Sequence, residues 1–280
     1  MNHYAFSSFI VTRMKSDSTL GIKLEAALTS RDNRWIRRRL PDPAIASALT
    51  SPLTDFTSND YLSLSSSQHL RSLFLNKLSI APDILGSGGS RLLVNGQAHA
   101  NLEDRLRQFF GGEAALLFNS GFDANVGFFS CIPQPGDAII YDEHIHASVH
   151  DGMRASRVDR PSLISFDHNS LPALRSTLMM IRNRTSTRQS VFVAVESLYS
   201  MDGTFAPLKE MVGVIEEIFP SGNAYLIVDE AHSTGIYGPE GRGRVAMLGL
   251  EDRVLARLHT FGKALAASGG AYNIPLSNAG

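Results

Sequence analysis

From about residue 98 onward, short apolar runs alternate with stretches whose apolar positions recur at helical spacing. The apolar runs fall at Ala115–Phe118, Ala138–Tyr141, Leu163–Phe166, Val191–Val195, Tyr225–Val228 and Val254–Thr260. The helical patterns cover Ala98–Phe110, Phe122–Cys131, Leu171–Arg182 and Leu208–Phe219. This alternation predicts an α/β fold with a mostly parallel, doubly wound sheet. Ahead of it, Leu20–Leu40 reads as a polar, basic helix closed by Pro41 and Pro43. A loop with Pro52 and a strand-like piece at Asp55–Thr57 follow. The expected organisation is an extension over 1–19, a helical segment over 20–58 and one large domain over 59–280.

Composition narrows the class. The chain has 280 residues, 43% apolar and 19% charged, an ordinary balance for a globular protein with a sizeable core. A formal net charge of -1 gives no global field to attract nucleic acid or an anionic membrane. A single cysteine, Cys131, excludes an internal disulfide and fits a reducing compartment. No apolar run is long enough to span a bilayer. The expected location is the cytoplasm. The first residues carry Arg13 and Lys15 with no acid before Asp17, which keeps a mitochondrial address open.

Polar residues collect where the apolar runs end. Asn119 and Ser120 follow the first run, Asp142 to His146 the second, and Glu196 follows VFVAV. Asp229 and His232 follow YLIV, and Thr260 and Lys263 follow VLARLH. In parallel sheets the chemistry gathers at these strand ends, so the pattern points to a cofactor cleft. Asp-x-x-His followed some thirty residues on by Thr-x-Gly-Lys supplies what pyridoxal phosphate (PLP) requires. Lys263 offers an amine to hold the aldehyde, and Asp229 offers an anion to keep the ring nitrogen protonated. Gly121 and Phe122 open the helix after a strand, where free N–H groups and the helix dipole favour a phosphate. Ser200 and Thr260 are hydroxyl donors near the same edge.

Seven segments in order resemble the α-oxoamine synthases, PLP enzymes of aminotransferase fold type I. They are FTSNDYLSL, GSGGSRLLVNG with HANLE after it, NSGFDAN, DEHIHAS, ESLYSMDGTFAPL, VDEAHSTGIYGPEGRG and HTFGKALAASGG. The resemblance implies that Lys263 carries the cofactor and moves the α-proton of an amino acid. It implies that Asp229 partners the ring nitrogen, His232 donates to the phenolic oxygen and His146 stacks on the ring. It matches Gly121, Phe122, Ser200 and Thr260 to further cofactor contacts and Glu196 to an acid close to the ring. Asn59 and the GSGGS loop resemble elements that complete the site across a homodimer interface. The implied reaction joins an amino acid to an acyl-CoA, with loss of carbon dioxide and CoA.

RDNRWIRRRLP resembles the arginine-rich helix of the biotin-pathway member of that family. There an arginine matching Arg37 meets the free carboxylate of a pimeloyl chain, a task that suits a guanidinium fork. The substrates implied are L-alanine and pimeloyl-CoA, with a serine-palmitoyltransferase-like activity or a related secondary-metabolite synthase as alternatives. The family continues beyond Lys263 with a small C-terminal domain that holds the amino acid's carboxylate. This chain ends before that domain, so the expectations are an incomplete large domain, an unpaired sheet edge and a catalytically dead PLP-binding fragment as a further alternative. No metal is expected. Asp142, Glu143, His144, His146 and His150 cluster in sequence, but no glutamate of the zincin pattern lies between His146 and His150. GSGGSR lacks the spacing of a dinucleotide fingerprint, and no Walker sequence is present.

Overall fold

The computed structural model describes residues 18–40, 54–82, 84–85, 88–184 and 189–274. The chain divides into two units, residues 1–56 and 57–280. In the first, helix α1 spans Thr19–Asn33, opened by Ser18, whose hydroxyl accepts from the Gly21 N–H at 3.0 Å. The helix expected to reach Leu40 therefore ends earlier. Trp35 adopts a left-handed backbone with φ 56°, which an α-helix cannot continue through. Pro41, Pro43, Pro52 and the extension over 1–17 lie outside the described residues.

The second unit is built on a seven-stranded sheet. Its strands are β1 (Ala114–Phe118), β2 (Ala138–Asp142), β3 (Leu163–Phe166), β4 (Val191–Glu196), β5 (Ala224–Asp229), β6 (Ala256–Thr260) and β7 (Gly270–Ile274). The order is β1-β7-β6-β5-β4-β2-β3. Strands β2 to β6 pair in parallel, and β7 runs antiparallel to both β1 and β6. The six expected strands are present within about two residues. Asp55–Thr57 forms no strand. GAYNI forms a seventh strand that the apolar runs do not predict, and it pairs on both sides.

The helices are α2 (Gln68–Ser79), α3 (Gln97–Phe110), α4 (Gly121–Cys131), α5 (Ala147–Ala155), α6 (Leu171–Arg184), α7 (Leu208–Ile218) and α8 (Arg244–Leu248). Alternate residues of each strand serve opposite faces. Ile140, Val193 and Val228 pack with Leu174 and Leu178 of α6 and Met211 of α7. Ile139, Ala194 and Ile227 pack with Phe128 and Phe129 of α4 and Val149 of α5. Helices on both faces explain why the inner strands read as unbroken apolar runs, and the polar residues collect at the strand ends.

Two buried ionisable side chains tie the frame together. Arg257 on β6 is fully buried and donates to Phe110 O and Gly111 O, each at 2.8 Å, and to Asn273 Oδ1 at 2.6 Å. It thereby links β6, its register partner on β7 and the end of α3. Glu230, also fully buried, accepts from the Arg244 and Val245 N–H groups at 2.7 and 2.9 Å. It holds the start of α8 behind the end of β5. Gly243 is required there: its φ is +100°, and a Cβ would lie 1.8 Å from Glu230 Oε2.

Candidate active site

The ends of β4, β5 and β6 bring Glu196, Asp229 and Lys263 into one electrostatic group. Glu196 and Asp229 are register partners on adjacent parallel strands, so two buried carboxylates lie side by side. Glu196 is 3% exposed. Burial, with the Asp229 charge beside it, pushes its carboxyl up to about 8, against the downward pull of Lys263. Such a carboxyl holds its proton at neutral pH while Asp229 keeps its hydrogen-bond partners. Lys263 sits on the turn after β6. Burial lowers its pKa, opposed by Asp229 and Glu196, and its side chain makes no hydrogen bond among the described residues. An amine with a lowered pKa and an uncommitted lone pair is the reactive form of lysine toward an aldehyde.

Asp229 is held from two sides. Its Oδ1 accepts from the Ala231 N–H at 2.9 Å, and its Oδ2 accepts from Asn125 Nδ2 at 2.8 Å. Asn125, 2% exposed on α4, also donates to Ser148 Oγ at 2.9 Å and accepts from Tyr272 Oη at 2.6 Å. Sequence reasoning missed Asn125, Ser148 and Tyr272. The signal available was a polar Asn125 set among Ala124, Phe128 and Phe129 on the apolar face of a helix, where an amide needs a partner.

The two histidines differ. His232 is buried, and burial with the Lys263 charge lowers its pKa to about 4 against the pull of Asp229. Its Nδ1 lies 2.7 Å from the Tyr61 hydroxyl, which donates to Asn59 Oδ1 at 2.9 Å. Asn59 is exposed and reaches the group through Tyr61. His146 is the N-cap of α5, with Nδ1 2.7 Å from Ser148 Oγ. The Phe122 ring meets it edge-on at 6.0 Å. His146 is exposed, yet desolvation lowers its pKa, with Asp229 pulling it up and Lys263 pulling it further down. The two carboxylates, the amine and both imidazoles thus act on one another.

The start of α4 meets the end of β6. Ser120 caps the helix, accepting from the Asp123 N–H at 3.0 Å. A Cβ on Gly121 would fall 1.9 Å from Thr260 Oγ1, so glycine alone allows this approach. Gly121, Phe122 and Thr260 therefore share one corner of the edge. Ser200 is not drawn in: it lies exposed on the turn before Phe205 and makes no side-chain hydrogen bond among the described residues. Arg37 belongs to the first unit, beyond the end of α1 rather than on a helix. Its Nη1 donates to Asp32 Oδ2 at 2.5 Å. In the GSGGS loop, Gly86 and Ser87 lie outside the described residues.

His144, His168 and Asp202 form a further polar group, which the sequence cluster did not anticipate because His168 and Asp202 come from other loops. The His144 and His168 rings stack at 4.1 Å with 22° between their planes. Lone pairs of stacked rings run nearly parallel rather than converging on one point. His168 Nε2 is also engaged by Thr204 Oγ1 at 2.7 Å, and Nδ1 by Asp142 at 2.8 Å. The arrangement is that of a loop clasp.

A family model described as aminotransferase class I and II matches residues 51–275. The chain belongs to that family. Within it, the chain is 48% identical over 261 residues to 8-amino-7-oxononanoate synthase of Emericella nidulans, covering 91% of this chain and 61% of that protein. It is 42% identical over 276 residues to aminoacyl transferase sphA of Aspergillus fumigatus, covering 96% and 57%. Among solved structures it is similar to Sphingomonas wittichii serine palmitoyltransferase, with a TM-score of 0.68, 32% identity and coverage of 79% and 52%. The chain thus spans between about half and three fifths of the length of these relatives.

The donor set fits PLP. An unpaired, desolvated amine lies in the field of a carboxylate held by two donors. A helix start and a hydroxyl meet at a corner that only glycine permits. No described helix is long and apolar enough to cross a membrane.

Proposed function

We propose that this chain binds PLP through Lys263 and serves an α-oxoamine synthase reaction, most specifically the condensation of L-alanine with pimeloyl-CoA in biotin biosynthesis. The observation that carries the cofactor reading is the uncommitted Lys263 amine, whose pKa burial lowers beside Asp229 and Glu196. When bound, PLP supplies an electron sink for the bonds broken at the amino acid's α-carbon. Asp229, fixed by Asn125 and Ala231, holds the proton on the ring nitrogen. Lys263 would hold the aldehyde and would take and return the α-proton. His232 would orient the phenolic oxygen, His146 would cover the ring face, and Glu196 in its protonated form adds no second negative charge beside Asp229. Gly121, Phe122 and Thr260 would serve the phosphate. In the overall reaction the acyl group forms a bond to the α-carbon, the thiol of CoA leaves, and the amino acid's carboxylate departs as carbon dioxide.

The 48% identity to the Emericella protein supports the pimeloyl reading. One observation favours a second one. Arg37, the residue assigned to the pimeloyl carboxylate, is already engaged by Asp32. That leaves an apolar acyl chain, as in a serine-palmitoyltransferase-like enzyme, as the other candidate. A homodimer is part of the proposal, because α2 has no buried residue and exposes Leu73 and Phe74.

The test measures CoA release by the PLP-loaded chain from pimeloyl-CoA and palmitoyl-CoA, each with alanine and serine. Release from pimeloyl-CoA with alanine, lost in Arg37→Ala, supports the first reading. Release from palmitoyl-CoA that Arg37→Ala spares supports the second. No release from either, by protein that shows the PLP absorption band, reduces the proposal to a cofactor-binding chain without turnover.

A further inference from the structure

Asn125, Ser148 and Tyr272 form a polar chain with a fixed direction, running from the anion at the end of β5 to the imidazole at the start of α5. The direction follows from the donors. Asn125 Nδ2 lies 2.8 Å from the Asp229 carboxylate. A carboxylate only accepts, so the NH2 side of the amide must face it, and the flipped amide would set oxygen against oxygen. Asn125 Oδ1 is then turned toward Tyr272, whose hydroxyl donates to it at 2.6 Å. The second Nδ2 hydrogen goes to Ser148 Oγ at 2.9 Å. Ser148 Oγ thereby accepts, and its own hydrogen is available to His146 Nδ1 at 2.7 Å.

The backbone gives the same answer independently. The Ser148 N–H lies 3.2 Å from His146 Nδ1, and a backbone amide can only donate. Nδ1 therefore receives two donors and cannot carry a proton in the neutral ring. Ser148 is fully buried and Asn125 nearly so, so water does not compete at this end of the chain.

We propose that Asn125 and Ser148 are positioning residues that lock His146 in the tautomer with its proton on Nε2. The imidazole then offers the cleft a hydrogen-bond donor and no free lone pair. As a consequence His146 cannot remove a proton from a bound molecule, and Lys263 is left as the base. This consequence rests on the PLP reading of the cleft, whereas the tautomer itself does not.

The test is 15N NMR of the cofactor-free chain labelled at histidine, at mildly alkaline pH, with the His146 signals assigned by their loss in His146→Asn. The expected result is a protonated Nε2 and an unprotonated Nδ1 in the wild type. Ser148→Ala, which keeps the backbone donor, should lower the ratio of the two tautomers about two- to tenfold, the worth of one neutral hydrogen bond. Ser148→Thr should restore it. A His146 proton on Nδ1 in the wild type, or a ratio unmoved in Ser148→Ala, overturns the proposal. Adding PLP to the same samples tests the cofactor separately: a missing absorption band beside the expected tautomer sinks the PLP reading and leaves this one standing.

Discussion

The ends of β4 to β6 and the segment over residues 57–94 both carry residues matched to the site, but they are held in different ways. At the strand ends every functional side chain stands on a strand or turn with helices on both faces. Asp229 has two donors, and Glu230 and Arg257 brace the backbone on either side. Over 57–94 the chain exposes Phe74, Leu92 and Leu93, and Asn59 reaches the group through the single hydroxyl of Tyr61. The first region is rigid by its own packing. The second leaves large apolar side chains exposed, which is where a partner's surface contributes most.

Substitutions should separate the two regions. Lys263→Ala should have the largest effect. It should abolish the borohydride-fixable absorption band with PLP and lower CoA release at least about a thousandfold, while the circular dichroism of the fold stays unchanged. Asp229→Asn should follow. It removes the charge proposed to keep the ring nitrogen protonated and should lower turnover about a hundredfold or more, read by single-turnover kinetics. An unchanged rate would remove Asp229 from the chemistry.

Two further changes act on stability. Arg257→Ala strands two carbonyls and the Asn273 amide in the core, and should cost about 3 kcal/mol in urea unfolding. Glu196→Gln should alter the pH dependence. The folded pKa of about 8 exceeds the ordinary 4.5, so the folded chain keeps a proton that the unfolded chain releases. This contribution falls away as pH rises between those values. His232, lowered from 6.5 to about 4, acts in the opposite sense but only below about pH 6.5. From there to pH 8 the cofactor-free wild type should lose about 2 kcal/mol relative to Glu196→Gln, since each pH unit is worth about 1.4 kcal/mol. Parallel stability curves for the two proteins would count against a protonated Glu196.

The smallest effect belongs to the second region. Leu73 and Phe74 lie on α2, exposed at 51% and 65%. Leu73→Glu with Phe74→Glu should change the stability of the isolated chain by less than about 1 kcal/mol while converting the proposed dimer to a monomer in light scattering. A large loss of stability without a change in mass would mean that α2 packs within the chain.

How far the sequence spoke follows the same division. Strands buried on both faces leave apolar runs, and the ends of β2, β4, β5 and β6 are legible because polar residues stop those runs abruptly. β7 was not legible, since GAYNI opens on glycine and places Asn273 inside, where it answers Arg257 on the neighbouring strand. α2 was missed because its apolar residues face outward and give no buried stripe. Asp229 and Lys263 could be named from spacing, whereas Asn125, Ser148 and Tyr272 could not. They lie on three separate elements, and only the fold makes them neighbours. The helix over 20–40 was drawn too long because its charge pattern carries no mark for the left-handed turn at Trp35.

The place of β7 also sets an order of events during synthesis. Among the described residues, β1 joins the sheet through β7 alone, with Ala114 opposite Ile274. Strands β2 to β5 can pair as soon as Asp229 has left the ribosome, but β1 must wait for the whole chain up to residue 274. So long a closure is slow and comes late. A nascent chain arrested after Thr260 should therefore protect the amides of β4 and β5 from hydrogen exchange and leave those of β1 open. During that interval α3 and β1 would have no sheet to rest on, and chaperones would meet the chain there first.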